Sequence, residues 1–105
     1  MGGKLDGRIV LITGAAGGIG AACARRLAAE GARLVLADLD GVAVERLAGE
    51  LGQVAVQCDV TLRADIERMV DTAYQRWGRL DVLFNNAGVI QGKPLLELTE
   101  EDWDR

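Results

Sequence analysis

Apolar positions along the chain follow two alternating spacings: compact aliphatic runs, and stretches in which every third or fourth residue is apolar. That alternation predicts strand and helix pairs around a parallel sheet, an α/β fold of the doubly wound, Rossmann-like kind. Strands are expected at Arg8 to Thr13, Arg33 to Asp38, Gln53 to Cys58 and Leu80 to Asn85. The first helix is expected from about Gly18 to Glu30, with Ile19, Cys23 and Leu27 on one face and Gly31 as its stop. A second helix spans about Asp40 to Leu51, burying Val44, Leu47 and Leu51 before Gly52. The third has the clearest stripe: starting near Thr61 or Leu62, it sets Ile66, Met69, Val70, Ala73, Tyr74 and Trp77 on one side and closes at Gly78. If sheet growth reverses after the third strand, the strand order is 3-2-1-4.

Composition narrows the class. The chain has 105 residues, half of them hydrophobic, enough for one small packed domain. Twelve basic and sixteen acidic residues are interspersed, so there is no electrostatic footprint for nucleic acid or an anionic membrane. No apolar stretch approaches membrane-spanning length, and the leading Met1 to Asp6 lacks a signal region, which fits a cytoplasmic protein. Cys23 and Cys58 show no metal spacing and are expected as reduced, buried thiols. Near the other end, Thr99-Glu100-Glu101-Asp102 carries a helix-start signature, yet the chain ends at Arg105 before one turn is complete. Residues 1–105 are therefore expected to be the front part of a longer domain.

Candidate chemistry sits where strands meet helices. Gly14, Gly17, Gly18 and Gly20 follow the first strand and open the first helix. Such a turn lets the backbone approach a pyrophosphate closely while the helix N-terminus offers free N–H groups and partial positive charge. The spacing Gly14-x-x-x-Gly18-x-Gly20 is not the ordinary Gly-x-Gly-x-x-Gly fingerprint, so an ordinary glycine-rich turn stays open on this motif alone. Asp38 closes the second strand at the offset where an acidic residue meets an adenosine ribose; a 2′-phosphate would meet a like charge there, with Leu39 rather than Arg beside it. That favours NAD over NADP. Asp38 as a helix cap is the alternative, although Asp40 is better placed for it. Asp59-Val60, after the third strand, has a side-chain oxygen and a backbone N–H suited to adenine, or simply forms a turn or helix cap. Asn85-Asn86-Ala87-Gly88 ends the fourth strand with amides and small residues suited to a backbone passing close to a ribose, or to a plain turn.

Taken together, Thr13-Gly14-x-x-x-Gly18-Ile19-Gly20, Asp38, Asp59-Val60 and Asn85-Asn86-Ala87-Gly88 resemble the amino-terminal part of a single-domain short-chain dehydrogenase/reductase, from about Leu5 to Arg105. The resemblance implies that the glycine turn holds the pyrophosphate with Ile19 close by. It further implies that Asp38 takes the adenosine ribose, that Asp59 and Val60 flank adenine, and that Asn86, Ala87 and Gly88 line the cleft. It implies hydride transfer between a nicotinamide and an alcohol or carbonyl substrate, run by a Ser, a Tyr and a Lys that lie beyond Arg105 in the family's order, and it leaves a homo-oligomer open. The chain itself contains no Ser, no His and one Tyr, Tyr74, which the helical stripe assigns to the core, so no catalytic or metal-binding residue is assigned. A non-catalytic nucleotide-binding or interaction module is the alternative. Epimerase-like extended relatives are disfavoured, since they carry a shorter glycine spacing.

Overall fold

The computed structural model describes residues 5–86 and the backbone of two short strands at 89–90 and 93–94. Nine elements follow one another: β1 (Ile9–Thr13), α1 (Gly18–Ala29), β2 (Arg33–Asp38), α2 (Gly41–Leu51), β3 (Val54–Gln57), α3 (Arg63–Trp77), β4 (Val82–Asn85), β5 (Val89–Ile90) and β6 (Lys93–Pro94). The first four strands form one parallel sheet in the order β3-β2-β1-β4, as the sequence pattern predicts. β5 and β6 pair antiparallel in a separate two-stranded sheet. The predicted helix start at Thr99 lies outside the described residues.

β1 is buried along its whole length because it is central and covered on both faces. The strand period of two divides its side chains between two cores. Ile9 and Leu11, with Val35 and Ala37 of β2, pack against Ile66, Met69, Val70 and Ala73 of α3. Val10 and Ile12, with Leu34 and Leu36, pack against Ala24 of α1 and Val44, Leu47 and Ala48 of α2. The result is a sheet between helical layers, one face closed by α3 and the other by α1 and α2. Tyr74 and Trp77 join the first core as half-buried side chains, so Tyr74 is a packing residue.

Several expected details are corrected. Ile19 is not on the buried face of α1: it is 71% exposed, and the helix buries Gly20 and Ala24 instead. Small residues let α1 approach the sheet closely, with Leu27 half-buried against the same core as expected and Ile19 left outside. Cys23 is accordingly only half-buried, whereas Cys58 is buried and its thiol is pushed up to about 11, chiefly by burial and then by Asp65. On α2, Ala48 is buried and Leu51 only partly so. β3 starts after Gln53 because the Gln53 N–H closes the preceding helix on Ala48, while its side-chain Oε1 accepts from Leu34 N–H at 2.8 Å. α3 begins at Arg63, and β4 begins at Val82 rather than Leu80.

Asp81 replaces strand pairing at that margin. Its N–H donates to the Ile9 carbonyl at 2.9 Å, and its carboxylate accepts from Ile9 N–H at 2.7 Å and from Arg79 at 3.0 Å. Arg79 also reaches the Gly7 carbonyl at 2.8 Å, so the entry to β4 is locked to the entry to β1. The Ile9 bond, helped by Arg79, holds the Asp81 carboxyl below its usual value of 3.8. A group depressed on folding stabilises the fold above its ordinary pKa and loses that contribution as pH falls through the folded value. Asp81→Asn is therefore expected to lower the melting temperature at pH 7 and to flatten the decline in stability below about pH 4. Thermal melts of both proteins across that window check it; an unchanged acid limb would contradict the assignment.

Candidate functional site

The carboxyl ends of β1, β2, β3 and β4 share one edge of the sheet, and those of the residues singled out by the sequence that the structure describes follow these ends. The chain leaves β1 through Gly14, whose φ of +62° lies in the left-handed region that glycine adopts without strain. Two bonds tighten the turn that follows: Gly17 N–H donates to the Gly14 carbonyl at 3.2 Å, and Ala15 N–H donates to Ala37 of β2 at 3.0 Å. Gly17 then caps α1 with no side-chain acceptor, and no acidic residue stands in the helix's first turn. By contrast, α2 has Asp40, whose carboxylate accepts from Ala43 N–H at 3.0 Å. The start of α1 thus keeps its N–H groups and positive dipole end for an anion.

Space around the glycines agrees with that chemistry. A Cβ at Gly18 would meet no atom within 4 Å, which leaves the cradle open above the backbone. A Cβ at Gly20 would collide with the Gly14 carbonyl oxygen and lie 2.9 Å from Asn86 Nδ2, so only glycine lets α1 pack this closely under its own turn. Ile19, between them in the chain, is an exposed apolar side chain.

Asp38, at the end of β2, binds back into the turn. One carboxylate oxygen accepts from Ala16 N–H at 2.9 Å and the other from Asp40 N–H at 2.9 Å. Both oxygens are fixed in place beside the cradle, each with further lone pairs to offer. Asp40, not Asp38, caps α2, as expected.

Asp59 forms the turn that the sequence leaves open as one of two alternatives. Its Oδ1 accepts from Thr61 N–H at 2.9 Å and from the Thr61 hydroxyl at 2.6 Å, and these bonds hold its carboxyl below the usual range. They use Oδ1 alone. Val60, next along the same edge, is half-buried against the α3-side core. Asn86 is joined to the turn: its Nδ2 donates to the Gly14 carbonyl at 3.3 Å. Ala87 and Gly88 lie outside the described residues.

The sequence reasoning assigns Thr13 no role of its own, although it stands within the motif. It is fully buried; its hydroxyl donates to Asn85 Oδ1 at 2.9 Å and accepts from Asn86 N–H at 3.2 Å, riveting the end of β4 to the end of β1. A lone hydroxyl residue closing an otherwise aliphatic strand is the signal that could have found it. Thr13→Val keeps the shape but removes both bonds, each worth about 0.5–1.5 kcal/mol net, and should cost about 1–3 kcal/mol in denaturant unfolding. A loss below about 0.5 kcal/mol would remove the rivet from this account.

Among the described residues no group of His, Cys, Asp and Glu is placed to hold a metal ion, and no helix is long and apolar enough to cross a membrane.

Comparison with known proteins agrees with the geometry. The family model described as short chain dehydrogenase matches residues 8–105. A (5R,7aS)-5-hydroxy-7a-methyl-1-oxo-2,3,5,6,7,7a-hexahydro-1H-indene-carboxyl-CoA reductase of Mycobacterium tuberculosis is 47% identical over 110 residues, covering 98% of this chain and 42% of the relative. A sorbitol dehydrogenase of Cereibacter sphaeroides is 43% identical over 104 residues, covering 97% of this chain and 41% of the relative. Among solved structures, a 3-ketoacyl-(acyl-carrier-protein) reductase from Brucella melitensis complexed with NADH superposes with a TM-score of 0.78 at 37% identity, over 97% of this chain and 43% of that one. The chain thus spans about two fifths of the length of these relatives. With a family model matched over nearly its whole length and a sheet ordered like theirs, the chain belongs to the short chain dehydrogenase family.

Proposed function

We propose that this chain is the dinucleotide-binding part of an oxidoreductase that moves a hydride between a nicotinamide and an alcohol or carbonyl substrate, with NAD(H) preferred over NADP(H). The observation that carries the reading is the juxtaposition at one sheet edge of an uncapped α1 N-terminus, open above Gly18, and the Asp38 carboxylate bonded to Ala16 of the same turn. In this reading Gly14, Gly17, Gly18 and Gly20 hold the pyrophosphate through backbone N–H groups, and Ile19 covers it from the solvent side. Asp38 accepts from the ribose hydroxyls. Asp59 and Val60 bracket adenine, and Asn86, Ala87 and Gly88 line the cleft toward the nicotinamide.

The bound nicotinamide supplies the hydride acceptor or donor. This chain's own residues bind and orient it, and none is assigned a proton-transfer role, since there is no Ser or His and Tyr74 is spent in packing. The relatives named reductase and dehydrogenase support the oxidoreductase class, and the neighbour solved with NADH supports the cofactor class. Titration of the native protein with NADH, followed by nicotinamide fluorescence, tests the reading. Saturable binding with a Kd between about 1 μM and 1 mM is expected; no binding up to millimolar NADH would overturn it.

A further inference from the structure

The turn between β3 and α3 contains two carboxylates six residues apart, and they do different work. Asp59 folds its Oδ1 onto Thr61, and its carbonyl accepts from Leu62 N–H at 2.9 Å, which leaves its own N–H to be held from elsewhere. That N–H is held by Asp65, in the first turn of α3, whose Oδ2 accepts it at 3.0 Å. Its Oδ1 pairs with Arg68 Nη2 at 3.5 Å, and the same Arg68 nitrogen donates to the carbonyl of Gln57, the last residue of β3. The end of the strand, the turn and the helix are thereby tied together around buried Cys58. The N-cap position of α3 is Leu62, which has no side-chain acceptor to give; Asp65 reaches back across the turn instead.

We propose that Asp65 is a positioning residue for recognition of the purine base: by holding the Asp59 N–H it sets the Asp59 carboxylate and the Val60 N–H at the attitude that reads a 6-amino purine. The inference rests on the dinucleotide reading above. A carboxylate oxygen accepts from the 6-amino group and a backbone N–H donates to N1 of adenine. A 6-oxo purine reverses both groups, placing an acceptor against the carboxylate and an N–H against an N–H. Discrimination of this kind needs donors and acceptors held within a few tenths of an ångström by supporting bonds, and Asp65 with Arg68 supplies them.

The test is a titration of native protein, Asp65→Ala and Asp65→Asn with NADH and with reduced nicotinamide hypoxanthine dinucleotide, which differs from NADH at the purine alone. Native protein should prefer the adenine form by about tenfold or more, the worth of one hydrogen bond to a charged group. In Asp65→Ala that ratio should collapse toward one, while Asp65→Asn, whose amide oxygen still accepts from Asp59, should keep most of it. If Asp65→Ala does not fold, Asp65→Glu keeps the charge in the first helical turn but moves the carboxylate by one methylene, and the ratio should fall in it too. A ratio unchanged in Asp65→Ala or Asp65→Glu, or an equal loss of both dinucleotides, overturns the proposal, as does a native protein that binds both equally. Native protein that binds neither refutes the dinucleotide reading itself.

Discussion

Gly20→Ala is expected to lose both stability and cofactor binding, whereas Gly18→Ala, two residues away, loses binding alone. At Gly20 the added methyl is driven into the Gly14 carbonyl and lies 3.0 Å from Ala15 Cα, and both are backbone that cannot step aside without opening the turn. Overpacking of this kind costs about 1–3 kcal/mol, and displacing the turn also spoils the N–H groups offered to the pyrophosphate, which lowers dinucleotide affinity by about 100-fold or more. At Gly18 there is open space, the backbone is not in the left-handed region, and the residue is the first of α1. Alanine there should leave stability unchanged or raise it by about 0.4–1 kcal/mol, while its methyl enters the cradle and weakens binding. Denaturant unfolding paired with NADH titration measures both quantities. If the two variants behave alike, the close packing of α1 under the turn is not what shapes the cradle.

Asp38→Ser is expected to reverse or erase the proposed preference for NAD(H). The native carboxylate is pinned by Ala16 and Asp40 N–H groups at 2.9 Å each, so it cannot swing away from a 2′-phosphate, and neighbouring Leu39 offers no compensating charge. Like charges about 4 Å apart repel by about 1 kcal/mol in water and about 4 kcal/mol near a protein surface. The NAD(H)-to-NADP(H) affinity ratio should therefore shift by about tenfold at least in the variant, from two directions: NADPH gains by relief of repulsion, and NADH exchanges a charged ribose acceptor for a weaker neutral one. Parallel titrations with the two reduced cofactors decide it. Equal affinities in the native protein would remove Asp38 from its assigned role.

What the sequence disclosed, and what it did not, follows from the range of the forces involved. β1 and β2 are long aliphatic runs whose burial on both faces is written into composition, and their order with β3 and β4 follows from connection rules. The glycine turn is local, so its residues show directly. On α1 periodicity places Leu27 correctly against the core but misplaces Ile19, because the helix packs closest through Gly20 and Ala24, which carry almost no hydrophobic signal, and leaves Ile19 exposed in its first turn. That exposure fits the proposed site better than burial would have. For Asp59 the sequence leaves turn and adenine ligand open, and the structure bears out the turn, which its Oδ1 makes with Thr61. Bonds such as Thr13 to Asn85, Gln53 to Leu34 and Asp65 to Asp59 join residues across the fold or across a turn, and nothing in local periodicity encodes them.

The most direct measurement is backbone amide NMR of the native protein during titration with NAD. The account predicts saturable shifts concentrated at Ala16 to Ala21, Asp38 to Asp40 and Asp59 to Thr61, on the carboxyl edge of the sheet. Residues at the opposite edge, around Ile9, Arg79 and Asp81, should remain unmoved. Shifts confined to that opposite edge or to the outer faces of α2 and α3, or no shifts at millimolar NAD, would contradict it.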